Sequence, residues 1–267
     1  VEDNSPPHHL TTSPLIQAAL SQLEATQPIR ILYACESGSR AWGFPSPDSD
    51  YDVRFIYAHQ PDWYLALDEG PDTLNFPVDQ ELDLGGWELR KTLKLLRGSN
   101  AALLEWLQSP IVYHEALDFR AHLQSLLPAT FNPRAGLHHY LGLVRRGVED
   151  ELLPEQVRLK KLFYALRSAL AARWIRERRT VPPMEFAALR TLLPAEFSGL
   201  IDELLAQKAT ANEKTIIARP EALANFLRQE YEASSAARST LPVESLPNPT
   251  AALDLLFRQL VHAAFAK

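Results

Sequence analysis

The chain has 267 residues, 46% of them hydrophobic and 22% charged, with a formal net charge of −6. That balance excludes a disordered chain and argues against a generally basic nucleic-acid binder. A single cysteine, Cys35, excludes an intrachain disulfide and any multi-cysteine metal site, and its apolar neighbours suggest a small core residue. The length allows one large domain or two modest ones with a real apolar core.

Residues 1–12 are polar and read as a loose end. Ser13 and Pro14 suit a helix cap and first position, and Leu15, Ile16, Ala19, Leu20 and Leu23 then predict a helix to about residue 26. Residues 29–35 read as a buried strand. Residues 36–49 have loop composition with room for one helical turn. A second strand is expected over 52–57. A turn-rich passage over 68–77 precedes a third strand over 78–84, which Gly85 and Gly86 should stop before a helix begins near Trp87. Beyond residue 115 the pattern is almost wholly helical, with segments at 115–127, from Asn132, 155–178, 184–193, 197–216 and 220–233. Residues 234–248 read as a polar connection, and a last helix places Leu253, Leu256, Phe257, Leu260 and Val261 on its apolar side. The expectation is an α/β mixed-sheet domain over 1–112 followed by an all-α helical domain over 113–267.

The chemistry concentrates in Gly38-Ser39 and Asp50-Tyr51-Asp52. On a strand, Asp50 and Asp52 would share a face about 6–7 Å apart, and their carboxylates could converge on a divalent cation. Asp83, between Leu82 and Leu84, has the setting for a third ligand, and alternation makes Glu81 its competitor. Magnesium suits such hard oxygen donors. Gly38 and Ser39 at the start of a helical turn could hold terminal phosphates, with Arg40 adding charge-assisted bonds. Neither a phosphate-loop pattern nor a three-glycine dinucleotide fingerprint is present. Asp50 as a turn cap and Asp83 as a solvated strand end remain the bland alternatives.

These residues resemble the DNA polymerase beta-type nucleotidyltransferase superfamily, whose signature is an apolar strand, Gly-Ser, about ten residues, Asp-x-Asp and a later strand aspartate. Gly38, Ser39, Asp50, Asp52 and Asp83 match it in order and spacing. The fuller runs Glu36 to Phe44 and Ser49 to Arg54 resemble a narrower family of predicted nucleotidyltransferases, some associated with RNA ligases and RNA repair. The likeness continues through Leu82 to Gly85, Leu104 to Trp106 and Lys160 to Trp174. The resemblance implies a small mixed sheet with packed helices. It also implies a two-metal site for Mg2+ or Mn2+ on Asp50, Asp52 and Asp83, and a nucleoside triphosphate substrate. The acceptor is open: an RNA end, a protein or a small molecule. A non-catalytic nucleotide-binding module is the alternative from another class.

In the helical half, Lys160, Tyr164 and Arg167 recur at i, i+4 and i+7, so they share a helix face that could close over the nucleotide. A solvated face is the simpler account. Between Arg158 and Arg179 there are eight Lys or Arg residues and one acid, Glu177, a charge excess that could attract nucleic acid. Trp42 and Phe44 could stack on a base or pack against their own loop, whereas Trp87, Trp106 and Trp174 sit in apolar stripes. His138 and His139 lack the partners of a zinc site, and no Ser-His-Asp arrangement supports hydrolysis. No run approaches 18 apolar residues, so no membrane span is expected. Without a recognisable export signal, the cytoplasm is the expected location.

Overall fold

The computed structural model describes residues 8–78, 81–241 and 248–266, with side chains from Pro14 onward. The elements are α1 (His8–Thr26), β1 (Ile29–Glu36), α2 (Ser39–Trp42), β2 (Tyr51–His59), β3 (Thr73–Asn75), β4 (Leu82–Glu88), α3 (Leu89–Arg97), α4 (Ala101–Trp106) and β5 (Val112–Glu115). There follow α5 (Phe119–Ser125), α6 (Leu127–Thr130), α7 (Pro133–Arg146), β6 (Gln156–Arg158), α8 (Leu159–Arg178), α9 (Phe186–Leu189), α10 (Ser198–Thr210), β7 (Ile216–Ala218), α11 (Glu221–Thr240) and α12 (Thr250–Ala264). The chain is therefore a mixed α/β sheet domain followed by a run of long helices.

Five strands form one sheet in the order β3-β4-β2-β1-β5. β2 and β4 run parallel, while the other neighbours pair antiparallel. Alternation along β2 explains why the sheet needs cover on both faces. Phe55 and Tyr57 pack with Ile16, Leu20 and Leu23 of α1, whereas Ile56 and Ala58 pack with Leu89, Leu93 and Leu96 of α3. α12 returns to the same layer through Leu253, Leu256, Leu260 and Val261. Cys35 is fully buried on β1, where burial pushes its thiol up to about 12, so it is a core residue.

Several boundaries differ from those read in the sequence. α1 already begins at His8, so Pro14 lies inside it, and Leu15 is 66% exposed instead of sharing the apolar face. The strand expected over 78–84 is β4, which begins at Leu82 and runs through Gly85 and Gly86 to Glu88. Asp79 and Gln80, within the expected strand, lie outside the described residues. Gly86 does not break β4 because the neighbouring strand uses the space it leaves: a Cβ there would overlap the Phe55 ring. β3, β5, β6 and β7 are too short to leave a clear alternation in sequence. α11 continues to Thr240, past the expected end near 233, and residues 242–247 of the expected connection are not described.

The helical core joins the sheet domain through one side chain above all. Phe44, from the loop after α2, is 3% exposed and stacks on Phe163 of α8 at 5.3 Å, with Phe186 edge-on at 5.5 Å. Burying a phenyl ring contributes about 1.5–3 kcal/mol. This fixes the loop between Gly38 and Asp50 against the helices. Of the two readings open for Phe44, the structure selects packing.

Candidate active site

β1 ends in Glu36, the chain turns at Ser37 and Gly38, and α2 begins at Ser39. Gly38 has φ −103° and ψ −151°, a conformation open to any residue. Its need for glycine is steric: a Cβ would overlap the Asp52 carboxylate oxygen Oδ2. The turn and the Asp52 carboxylate are thus in direct contact.

The approach to β2 is held by a dense polar network. The Ser49 hydroxyl meets Ser39 Oγ at 3.1 Å, accepts from the Ser46 N–H at 3.0 Å and donates to Glu213 Oε1 at 3.1 Å. Arg40 donates to the carbonyls of Ser49 and Asp50 at 2.6 and 3.2 Å, and its guanidinium lies 3.8 Å over the Tyr51 ring. Arg40 therefore shapes the loop that presents Asp50, where the sequence suggested a phosphate contact.

Asp52 stands opposite Asp83 in the parallel β2/β4 register. Arg54, two residues along β2, places its Nη2 at 2.8 Å from Asp83 Oδ2 and 3.7 Å from Asp52 Oδ1. Burial raises the Asp52 carboxyl above the ordinary range; Arg54 opposes this and Asp83 adds to it. Asp50, just before β2, is raised by burial and by the neighbouring Glu213 charge, with Asp83 and Glu81 adding less. The carboxylates thus feel one another, and such a cluster favours a cation or a proton. Among the described residues, no group of three or more His, Cys, Asp or Glu side chains is gathered closely enough to hold a metal ion. Glu81 is exposed, and its carbonyl accepts the Tyr51 N–H at 2.7 Å. Asp83, not Glu81, has the register position opposite Asp52.

A buried carboxylate stands directly behind this site. Glu36 is fully buried; its Oε1 accepts the Asp52 N–H at 2.8 Å and its Oε2 accepts the Tyr113 hydroxyl at 2.7 Å. Burial raises its pKa despite these two bonds. Tyr113 comes from β5, so the last strand of the sheet helps to fix the backbone at Asp52.

From the helical side, Lys160 Nζ donates to Glu213 Oε2 at 2.6 Å and lies 5.6 Å from the centre of the Tyr164 ring. Burial alone would lower the Lys160 ammonium, but its bonds to Glu213 and Tyr164 outweigh that and hold it above the ordinary lysine value. The Lys160 charge also opposes the upward shift of both Asp50 and Asp52. Tyr164 packs edge-on to Trp42 at 4.9 Å. Arg167 departs from its two neighbours. It is 4% exposed, ion-paired to Glu105 at 3.0 Å, bonded to the Met184 carbonyl and stacked 4.4 Å from the Trp42 ring. Its contacts run into the helical core.

The basic excess along α8 is likewise dispersed. Arg173 and Arg176 both reach Glu230 on α11, at 3.2 and 3.0 Å, and Arg178 covers the Trp174 ring. A helix turns every 3.6 residues, so these cations point in several directions and form no single stripe. The residues that sequence reasoning gave no role are Glu36, Ser49, Arg54 and Glu213. Glu36, Ser49 and Arg54 lie within the distinctive runs. Glu213 carried no signal, since it meets Ser49 across 164 residues.

Lys208 of α10 ties the same loop from the other side. It is 1% exposed, and its Nζ donates to Ser46 Oγ at 2.8 Å. Burial holds its pKa below the ordinary value, against the opposing pull of Glu213. Between that lowered value and the ordinary lysine pKa, the unfolded chain holds more protons, so stability rises with pH across this window. Lys208→Met removes the buried charge. It should stabilise the chain at neutral pH, where the buried charge costs stability, a gain that shrinks as pH climbs toward the ordinary lysine value. Urea unfolding at pH 7 and 9 measures both. A loss of stability at pH 7 would mean that Glu213 and Asp48 make this ammonium net stabilising.

The chain is similar to several known proteins. The family described as "RlaP: RNA repair pathway DNA polymerase beta family" matches residues 13–259. The uncharacterized protein YcgL of Bacillus subtilis (strain 168) is 43% identical over 227 residues, covering 84% of this chain and 87% of that protein. A nucleotidyltransferase-like protein from Exiguobacterium sibiricum 255-15, of known crystal structure, aligns over 96% of this chain and 81% of its own. That alignment has 11% identity and a TM-score of 0.32.

Proposed function

Because the chain belongs to the RlaP family, an RNA repair pathway DNA polymerase beta family, we propose that it transfers a nucleoside monophosphate from a nucleoside triphosphate to an acceptor hydroxyl. An RNA end is the favoured acceptor. The observation that carries this reading is the placement of Asp52 opposite Asp83 on parallel strands, in contact with the Gly38 turn and two residues beyond Asp50.

In the reaction, the acceptor oxygen bonds to the α-phosphorus, the bond to the bridging oxygen of the β-phosphate breaks, and pyrophosphate leaves. The hydroxyl proton passes to solvent, because Arg54 occupies Asp83 Oδ2 and the other oxygen is left for the cation. Asp50, Asp52 and Asp83 would hold Mg2+ or Mn2+, which when bound supplies Lewis acidity to the phosphate oxygens. The donor set fits such a hard cation: the groups are carboxylates, and burial together with mutual repulsion leaves Asp50 and Asp52 short of positive charge. Gly38 keeps the Asp52 carboxylate against the turn, and Glu36 holds the backbone beneath it. Lys160 leaves Glu213 to meet the triphosphate, which draws α8 and the helices packed on it toward the carboxylates.

Incubation with labelled nucleoside triphosphates, Mg2+ or Mn2+ and a panel of RNA ends, proteins and small alcohols should release pyrophosphate and label an acceptor. Label removed by nuclease identifies RNA; label removed only by protease identifies a protein acceptor. Nucleotide binding without turnover across the panel would leave a binding module. Lys160→Ala should lower kcat/KM by about 10- to 100-fold, the cost of one charge-assisted bond to phosphate. Unchanged affinity and turnover in that variant would make α8 a scaffold.

A further inference from the structure

The wall made by Trp42 and Tyr164 has a second side. There, α4, α7 and α8 enclose a recess of about 230 Å3. α8 serves both spaces. Lys160 meets Glu213 beside Tyr164, while Lys161, Ala165 and Ser168 line the recess. Tyr164 belongs to both, so a molecule in the recess would lie one aromatic ring away from Lys160.

The lining contains polar groups that the helical core does not use. Glu105 spends Oε1 on Arg167 and on the Tyr140 hydroxyl, at 3.0 and 2.7 Å, and among the described residues no bond reaches Oε2. The indole N–H of Trp42 is buried without a partner among the described residues. Arg146 is exposed at the edge of the recess, beside Lys161, whose partner is Glu151 at 2.9 Å. A free carboxylate oxygen calls for an N–H donor. The aromatic wall favours a flat ring, and cations at the rim favour an attached anion. An apolar cavity of about 150 Å3 holds benzene, so this volume accommodates a bicyclic ring. One ligand class combines these properties.

We propose that this recess binds the base of a nucleotide, with a base amino group on Glu105 Oε2 and the phosphate among Arg146 and Lys161. Purines fill it better than pyrimidines. The base belongs either to the donor triphosphate or to the last nucleotide of an acceptor strand; the choice between these sources rests on the nucleotidyl-transfer reading, but the recess itself does not.

Calorimetric titration of the full chain without divalent metal tests the proposal, using AMP, GMP, CMP, UMP and ribose 5-phosphate. Purine monophosphates should bind at least tenfold more tightly than ribose 5-phosphate, which lacks a base. Ala102→Leu fills the recess from a half-buried position on α4 and should weaken this binding at least tenfold without lowering the melting temperature. Equal affinity for AMP, GMP and ribose 5-phosphate, no binding at all, or full binding in Ala102→Leu would each overturn the proposal. In turnover assays, a raised KM for the triphosphate in Ala102→Leu places the donor base in the recess, and a raised KM for RNA alone places the acceptor there. A chain inactive toward every acceptor would defeat nucleotidyl transfer, yet the metal-free titrations would still decide the recess.

Discussion

Asp52→Asn is expected to fold normally and lose more than about 100-fold in kcat/KM. Loss of an outer partner of a metal site already costs 10- to 100-fold, and Asp52 is proposed as a direct ligand. Asparagine keeps the shape but removes the charged oxygen that lies against Gly38 and opposite Asp83. Stability should not suffer in the metal-free protein. Folding raises the Asp52 pKa, so the folded chain holds the extra proton between the ordinary aspartate value and the raised one. The charge therefore costs stability as pH rises through that window, with the full cost present above it. The variant should equal or exceed the wild type in neutral buffer without metal. Adding Mg2+ should raise the wild-type melting temperature, since a ligand at 100 times its Kd contributes about 2.7 kcal/mol, and should leave the variant unmoved. Full turnover in purified Asp52→Asn would remove this residue from the mechanism. Comparing Asp83→Asn with Glu81→Gln identifies the third carboxylate: register predicts the larger loss for Asp83→Asn.

Gly38→Ala should cost nearly as much activity through a single methyl group. The backbone at Gly38 is already one that alanine adopts, so the change adds no strain in φ or ψ. The added carbon falls on Asp52 Oδ2, and either the carboxylate rotates away or the turn moves. A 1 Å misplacement of a catalytic group can cost about 100-fold. We expect that scale of loss in kcat/KM, together with weakened Mg2+ stabilisation and a far-UV spectrum like that of the wild type. A variant with normal metal response and normal turnover would show that the Asp52 carboxylate need not touch the turn during catalysis. Global unfolding would instead place the effect in the packing of β1 against β2.

Much of this site was legible because its parts are local. Gly38-Ser39 and Asp50-Tyr51-Asp52 lie within fifteen residues, and the change from strand-like runs to 3.6-residue periodicity marks the two halves of the chain. Helical spacing put Lys160 beside Tyr164, since residues four apart share a face whatever the surroundings. The same rule put Arg167 on that face, and there it misled: spacing cannot tell that Glu105 and Met184 take the guanidinium into the core.

The long-range pairings come from packing alone. Composition and short periodicities encode the turn, the order of the three aspartates, the buried first strand and the helical second half. They could not determine that Asp83 stands opposite Asp52, that Arg54 joins them, that Glu36 lies beneath them or that Glu213 holds Lys160. Register between strands and contacts across 164 residues arise from how two separately patterned halves pack. Gly85 and Gly86 make the point within one element. Read locally they end a strand, but the Phe55 ring beside Gly86 needs the missing side chain, so β4 continues through both.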